Sequence, residues 1–197
     1  MMKNIKVPYN RKEKEEFLFP QEKVEFCFHN NHINFLIGEI DTESVKKIVQ
    51  WIVYENASNV SDKVLTLYVN SPGGNLYDCF SLIDIMSASK YPIRTIGIGQ
   101  VMSAGFLIFC SGTRGHRVIG RNTGIMCHQL SDTIDGKHHD LRATMREAEN
   151  CNQRMIDIIK KNSSLDDRVI NSKLLNSSDV YLKAEDMIKY GLADQIL

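Results

Sequence analysis

Three residues far apart in this chain could act together as a nucleophile, a base and an orienting acid. Ser103 stands in G-Q-V-M-S-A-G, where an apolar run gives way to a helix-forming one. His128 ends the apolar run I-M-C-H, and Asp179 precedes V-Y-L in N-S-S-D-V-Y-L-K. Hydrolysis of a peptide or ester by serine needs those three roles and two N–H donors for the oxyanion. The donors could come from V-N-S-P-G-G (Val69 to Gly74) and from the turn at Ser103 to Gly105, which makes Gly73, Gly74 and Ala104 the candidates. Both stretches read as a buried strand, a tight turn and the first turn of a helix, a junction that leaves backbone N–H groups unpaired.

Each of these residues also has an ordinary role. A serine before a helix is commonly its N-cap, and the G-x-S-x-G elbow is not matched, because Val101 stands where its first glycine would be. A histidine at a strand end is commonly structural, and an aspartate before a short helix commonly makes a turn. The doubled glycine after Pro72 could simply turn the chain, although such a pair also permits close backbone approach to a ligand. The local sequence leaves both readings of every residue open.

The elements that must position these groups follow from periodicity. Val24 to Phe28 and Ile33 to Ile40 read as strands, and Asp41-Thr42 offers an N-cap for a helix to about Asn56 with Val45, Ile48, Val49, Ile52 and Val53 on one face. Val64 to Asn70 reads as a buried strand, followed by a helix from Leu76 to about Lys90. Ile93 to Gly99 is the next strand and Ser103 to Cys110 a largely apolar helix, with short strands at His116 to Ile119 and Gly124 to Gln129. Crossovers of a dozen residues or more imply a mainly parallel sheet in an α/β fold. Lys137 to Lys161 is a long polar helix with Leu141, Met145, Ala148, Met155, Ile158 and Ile159 at helical spacing, suited to projecting from the body. Shorter helices are expected around Leu165 to Leu175 and Ala184 to Tyr190, and Ala193 to Leu197 closes as a strand. Residues 1–22 are polar and charge-mixed and read as a flexible N-terminal arm, leaving 23–197 as a single domain.

Composition narrows the class. A length of 197 residues with 43% hydrophobic and 24% charged residues suits one globular domain. Lys plus Arg and Asp plus Glu balance at 24 each, so no global basic field favours nucleic acid or an anionic membrane. The five cysteines are odd in number and include no C-x-x-C pair, which argues against a disulfide framework or a metal site and for a cytoplasmic location. The N-terminus has no apolar region of the secretory type, and no apolar stretch approaches a membrane span.

Taken jointly, S-P-G-G, I-G-Q-x-x-S with Ser103 twenty-nine positions beyond Gly74, M-x-H-Q and D-x-x-L-x-A-x-x-x-x-x-Y-G-L-x-D resemble the proteolytic subunit of the Clp protease, ClpP. The register from Ser71 to Leu141 fits without a gap, and Tyr190 to Leu197 resembles that family's C-terminal signature. The resemblance implies a ClpP/crotonase-like spiral of β-β-α units with a protruding handle helix at about 137–161. It carries the nucleophile onto Ser103, the base onto His128 and the acid onto Asp179, with oxyanion donors at the Gly74 and Ala104 N–H groups. It implies no cofactor. It also implies polypeptide substrates, a homo-oligomer of heptameric rings stacked as a tetradecamer, and service by an AAA+ unfoldase.

The chain departs from the family pattern in three places. Ala104 replaces the usual Met, and Leu130-Ser131-Asp132-Thr133 replaces the usual Pro and Gly-rich strand. No axial-loop segment is recognisable in residues 1–28. Four readings therefore stand side by side: a compartmental serine endopeptidase, a processing protease without an ATPase partner (as in viral capsid maturation), a catalytically silent ring subunit, and an acyl-CoA enzyme of the crotonase type.

Overall fold

Leu65, Leu67, Val69 and Ser71 are buried while Thr66, Tyr68 and Asn70 are half-buried, the alternation of a central strand. The protein, seen in a computed structural model that describes residues 19–58, 61–131 and 136–197, is built around this strand. Its strands are β1 (Ile33–Ile37), β2 (Leu65–Ser71), β3 (Ile93–Met102), β4 (Arg117–Ile119), β5 (Gly124–Cys127), β6 (Val180–Leu182) and β7 (Gln195–Ile196). They form one sheet in the order β1-β2-β3-β4-β7, with β5 beside β3 and β6 beside β5. Every pairing is parallel except β5 with β6.

The helices are α1 (Pro20–Asn30), α2 (Thr42–Ala57), α3 (Leu76–Ser87), α4 (Ala104–Cys110), α5 (His138–Asn162), α6 (Asp167–Lys173) and α7 (Ala184–Lys189). Parallel strands need crossovers, and α2, α3 and α4 supply them between successive strands. The expected cap of α2 is present: Asp41 Oδ1 accepts from the Ser44 N–H at 2.8 Å. All seven residues of α4 are buried, which makes it the central core helix. In α5 the buried residues are Cys151, Met155 and Ile159, one per turn in its second half, while Met145 in the first half is 57% exposed.

One expectation is corrected, and one element is new. Val24 to Phe28 is helix rather than strand, because Pro20 at the first helical position and Glu22, whose carboxylate accepts the Phe19 N–H at 2.8 Å, start a helix there. The helix begins at Pro20, within the stretch expected as an arm; residues 1–18 lie outside the described residues. The strand β6 was not anticipated, since three residues give no periodic signal.

A buried ion pair stitches α2 to the loop before β2. Lys63 Nζ donates to Glu55 Oε2 at 2.7 Å and to the Glu55 carbonyl, and His32 Nδ1 lies 2.9 Å from the same carboxylate. Burial alone would raise the Glu55 carboxyl, but the hydrogen bonds from Lys63 and His32 outweigh it and hold the group below its usual range. A depressed carboxyl stabilises the fold above the unfolded-state value near 4.5 and loses that contribution as pH falls through its folded value. Thermal unfolding of Glu55→Gln should therefore show about 2 kcal/mol lower stability at neutral pH and a flatter decline below pH ~4.5 than the parent.

Candidate active site

The site begins with a bend in β3. Val69 pairs with Gly97 but Ser71 with Val101, so two steps along β2 match four along β3. Gly99 absorbs the bend at φ +63°, and Asn70 Oδ1 accepts the Gln100 N–H at 3.1 Å to hold it. A Cβ at Gly99 would fall 2.6 Å from that Asn70 oxygen. Before the bend β3 pairs with β4, and after it with β5. One strand thus brings its last residues beside Gly124 to Met126.

This pairing delivers the serine to the histidine. Met102 is in register with Met126, and the Ser103 N–H donates to the Met126 carbonyl at 2.9 Å. His128, two residues on, places Nε2 2.8 Å from Ser103 Oγ. With Nε2 as the acceptor of the hydroxyl proton, the ring carries its own proton on Nδ1. Ser103 sits at φ +52°, ψ −123°, a strained conformation for a residue with a Cβ, and its side chain makes no capping bond to α4. The ordinary N-cap role is therefore absent, and the hydroxyl faces the imidazole instead.

The S-P-G-G turn closes over the same point. The buried Ser71 Oγ accepts the Gly73 N–H at 3.1 Å, and the Gly73 carbonyl accepts from Ile40 at 2.8 Å. A Cβ on Gly73 would lie 2.6 Å from Ser103 Cβ, and one on Gly74 2.2 Å from the Ile40 carbonyl. Both glycines have positive φ, so each is required for conformation and for space. Among the described residues the N–H groups of Gly74 and Ala104 have no backbone hydrogen-bond partner. Cys79 holds the other end of Ala104, its thiol 3.4 Å from the Ala104 carbonyl; burial pushes that thiol up, so it stays a neutral donor.

Asp179 immediately precedes β6, whose Val180 pairs with Cys127, the residue before His128, across the antiparallel β5–β6 ladder. Its side chain is exposed, and no hydrogen bond or ion pair joins it to His128. Sequence reasoning did not single out Asn70 or Ser71, which set the bend and the turn; the Asn70/Gly99 contact has no local signal. A larger cavity of about 780 Å³ lies away from this centre, between the ends of α3 and α5, and holds none of the candidate residues.

The fold is α/β, a bent and mainly parallel sheet that brings a serine and a histidine together at adjacent strand ends. The Clp protease family model matches residues 21–197, and the chain belongs to that family. It is 29% identical over 169 residues to the ATP-dependent Clp protease proteolytic subunit of Deinococcus radiodurans, a match covering 85% of this chain and 80% of that one. Membership supports a hydrolytic, proteolytic activity. Among the described residues no helix is long and apolar enough to cross a membrane.

Proposed function

We propose that the protein is a serine endopeptidase that cleaves unfolded polypeptides inside an oligomeric barrel. The observation that carries this reading is the 2.8 Å contact between Ser103 Oγ and His128 Nε2 beside the unpaired Gly74 and Ala104 N–H groups. His128 takes the hydroxyl proton as Ser103 attacks the peptide carbonyl. The two N–H groups receive the oxyanion, each worth on the order of 3 kcal/mol in the barrier. His128 then returns the proton to the leaving amine, and water repeats the sequence to release the acyl group. Gly73 contributes by having no side chain to separate the turn from Ser103.

Asp179 is the orienting acid in this reading. Its place directly before β6, whose Val180 pairs with the residue before His128, supports the role, and closing onto Nδ1–H would fix the tautomer that the Ser103 contact requires. The exposed first half of α5 suits a handle that packs against another ring, in a spiral of β-α units assembled as heptamers and stacked in pairs. Sealing the site in such a barrel makes access the main filter and an AAA+ unfoldase the natural supplier. With its free cysteines, the protein fits a reducing, cytoplasmic setting.

The test is peptide cleavage by the purified protein with its mass measured in solution. Cleavage of short peptides by a multi-ring assembly that spares folded proteins is the expected result. A monomer that digests folded protein would contradict the compartment.

A further inference from the structure

The cavity of about 780 Å³ away from the active site opens where three helices end. The last turn of α3 and the loop after it, the turn that follows α4, and the second half of α5 line it. Its volume falls within the span of about 300–1,000 Å³ typical of pockets for small organic ligands. On α5 the lining positions Arg154, Asp157, Ile158 and Lys161 recur every three or four residues and so share one face of the helix. Phe80, Ile83, Met86 and Tyr91 add apolar and aromatic surface.

The polar groups around the cavity divide into those already used and those left free. Ser111 Oγ donates to the Leu107 carbonyl at 2.8 Å and Ser89 Oγ to the Tyr91 carbonyl at 3.0 Å, while Thr113 Oγ1 accepts the Ile93 N–H at 2.9 Å. The cations are less committed. Lys90 Nζ donates to the Ser58 carbonyl at 3.0 Å, and Arg114 Nη2 to the Lys161 and Ser163 carbonyls at 2.7 and 3.2 Å. Among the described residues neither has a carboxylate partner, and Lys161 Nζ has no partner of any kind. Arg154 has one carboxylate, Glu147, in an exposed pair. Against these four cations stand Asp84 and Asp157, the latter accepting from Gln153 Nε2 at 2.9 Å. Cations at helix C-termini also offset the helix dipole, but that role needs no apolar surface between them.

We propose that this cavity is an effector site for a small organic anion, an aromatic body carrying a phosphate or a carboxylate. The ring takes the apolar surface and the charged group meets Lys90, Arg114 and Lys161. Two of the helices that end here begin at the proposed oxyanion donors: Asn75, next to Gly74, caps α3, and Ala104 opens α4. A ligand that shifts the far ends of α3 and α4 moves those donors, and donors aimed at an oxyanion lose rate when displaced. The effect on cleavage rests on the endopeptidase reading above; the binding does not.

Isothermal titration calorimetry on the purified protein compares 1-naphthyl phosphate, 1-naphthoate, 1-naphthol and inorganic phosphate. At least one naphthyl anion should bind saturably, and the tighter of the two identifies the charged group. 1-Naphthol and inorganic phosphate, each lacking half of the recognition, should bind at least about tenfold more weakly. Lys161→Glu and, independently, Lys90→Glu should weaken the anion at least about tenfold and leave ligand-free cleavage unchanged. Saturating anion should lower kcat at least about fivefold with KM held, an effect lost in both variants. Anions that bind no better than 1-naphthol, or binding that survives in both variants, overturn the site. Binding that leaves kcat unchanged, or raises KM alone as a competitor at the active site would, overturns the effector role. A protein that cleaves no peptide and whose Ser103 resists a fluorophosphonate overturns the endopeptidase reading instead, and the calorimetry then decides the binding site on its own.

Discussion

Ser103→Ala and His128→Ala are each expected to lower kcat for peptide cleavage by at least about 10⁴-fold, with the double variant no worse than the poorer single one. The two groups act as one unit, so removing either removes the activated nucleophile, and their effects do not add. What remains is the rate supplied by binding and the two backbone donors. Because Ser103 is held at φ +52°, glycine at this position should relieve strain. Ser103→Gly is therefore expected to be as inactive as Ser103→Ala yet more stable than the parent by about 1 kcal/mol in chemical denaturation. A Ser103→Gly protein no more stable than the parent would mean that the turn stores no strain.

The largest stability effect is expected at Arg117, which is 2% exposed and far from the chemistry. Its Nη2 donates to Asp194 Oδ1 at 2.7 Å and its Nε to Oδ2 at 2.9 Å, a bidentate pair. The same guanidinium donates to the Gly191 carbonyl at 2.9 Å and to the Asn162 carbonyl at the end of α5. Asp194 Oδ2 further accepts the Gly115 and Arg117 N–H groups. Burial would raise the Asp194 carboxyl, but the Arg117 contacts prevail and hold it low. One side chain thus binds β4, the C-terminal end of α5 and the turn into β7. Arg117→Met leaves the Asp194 carboxylate without its charge partner and removes the donor from three carbonyls, and should cost about 3–5 kcal/mol, read as a lower urea midpoint at unchanged m-value. Arg117→Met with Asp194→Leu should recover part of that loss, since the unpaired charge is then removed as well.

The sequence carried the parts of this architecture that rest on local periodicity. The helix after Asp41, with its period and its cap, the buried run at Leu65–Ser71 and the period of the long polar helix α5 could be read directly. Ser103 and His128 each stand at the end of an apolar run, but the local sequence left their roles open, and only the joint set of motifs carried the resemblance. What escaped depends on contacts between distant segments. The Asn70 amide that holds the bend at Gly99 is thirty residues away from the N–H it accepts, at Gln100. The Tyr77–Glu147 hydrogen bond joins the start of α3 to the middle of α5. At Val24 to Phe28, alternating apolar residues looked like a strand, but helix-starting chemistry at Phe19 to Glu22 prevailed because α1 buries none of its residues fully. Asp179 is the intermediate case: its place beside the end of β5 follows from β6, a strand too short to announce itself.

The central claim is that Ser103, activated by His128, is a nucleophile. Treating the purified protein with a fluorophosphonate and mapping the adduct by mass spectrometry tests it most directly. Modification of Ser103, lost in His128→Ala and accompanied by loss of peptide cleavage, is the expected result. Modification of another serine with Ser103 untouched, or labelling of Ser103 that persists undiminished in His128→Ala, would contradict it.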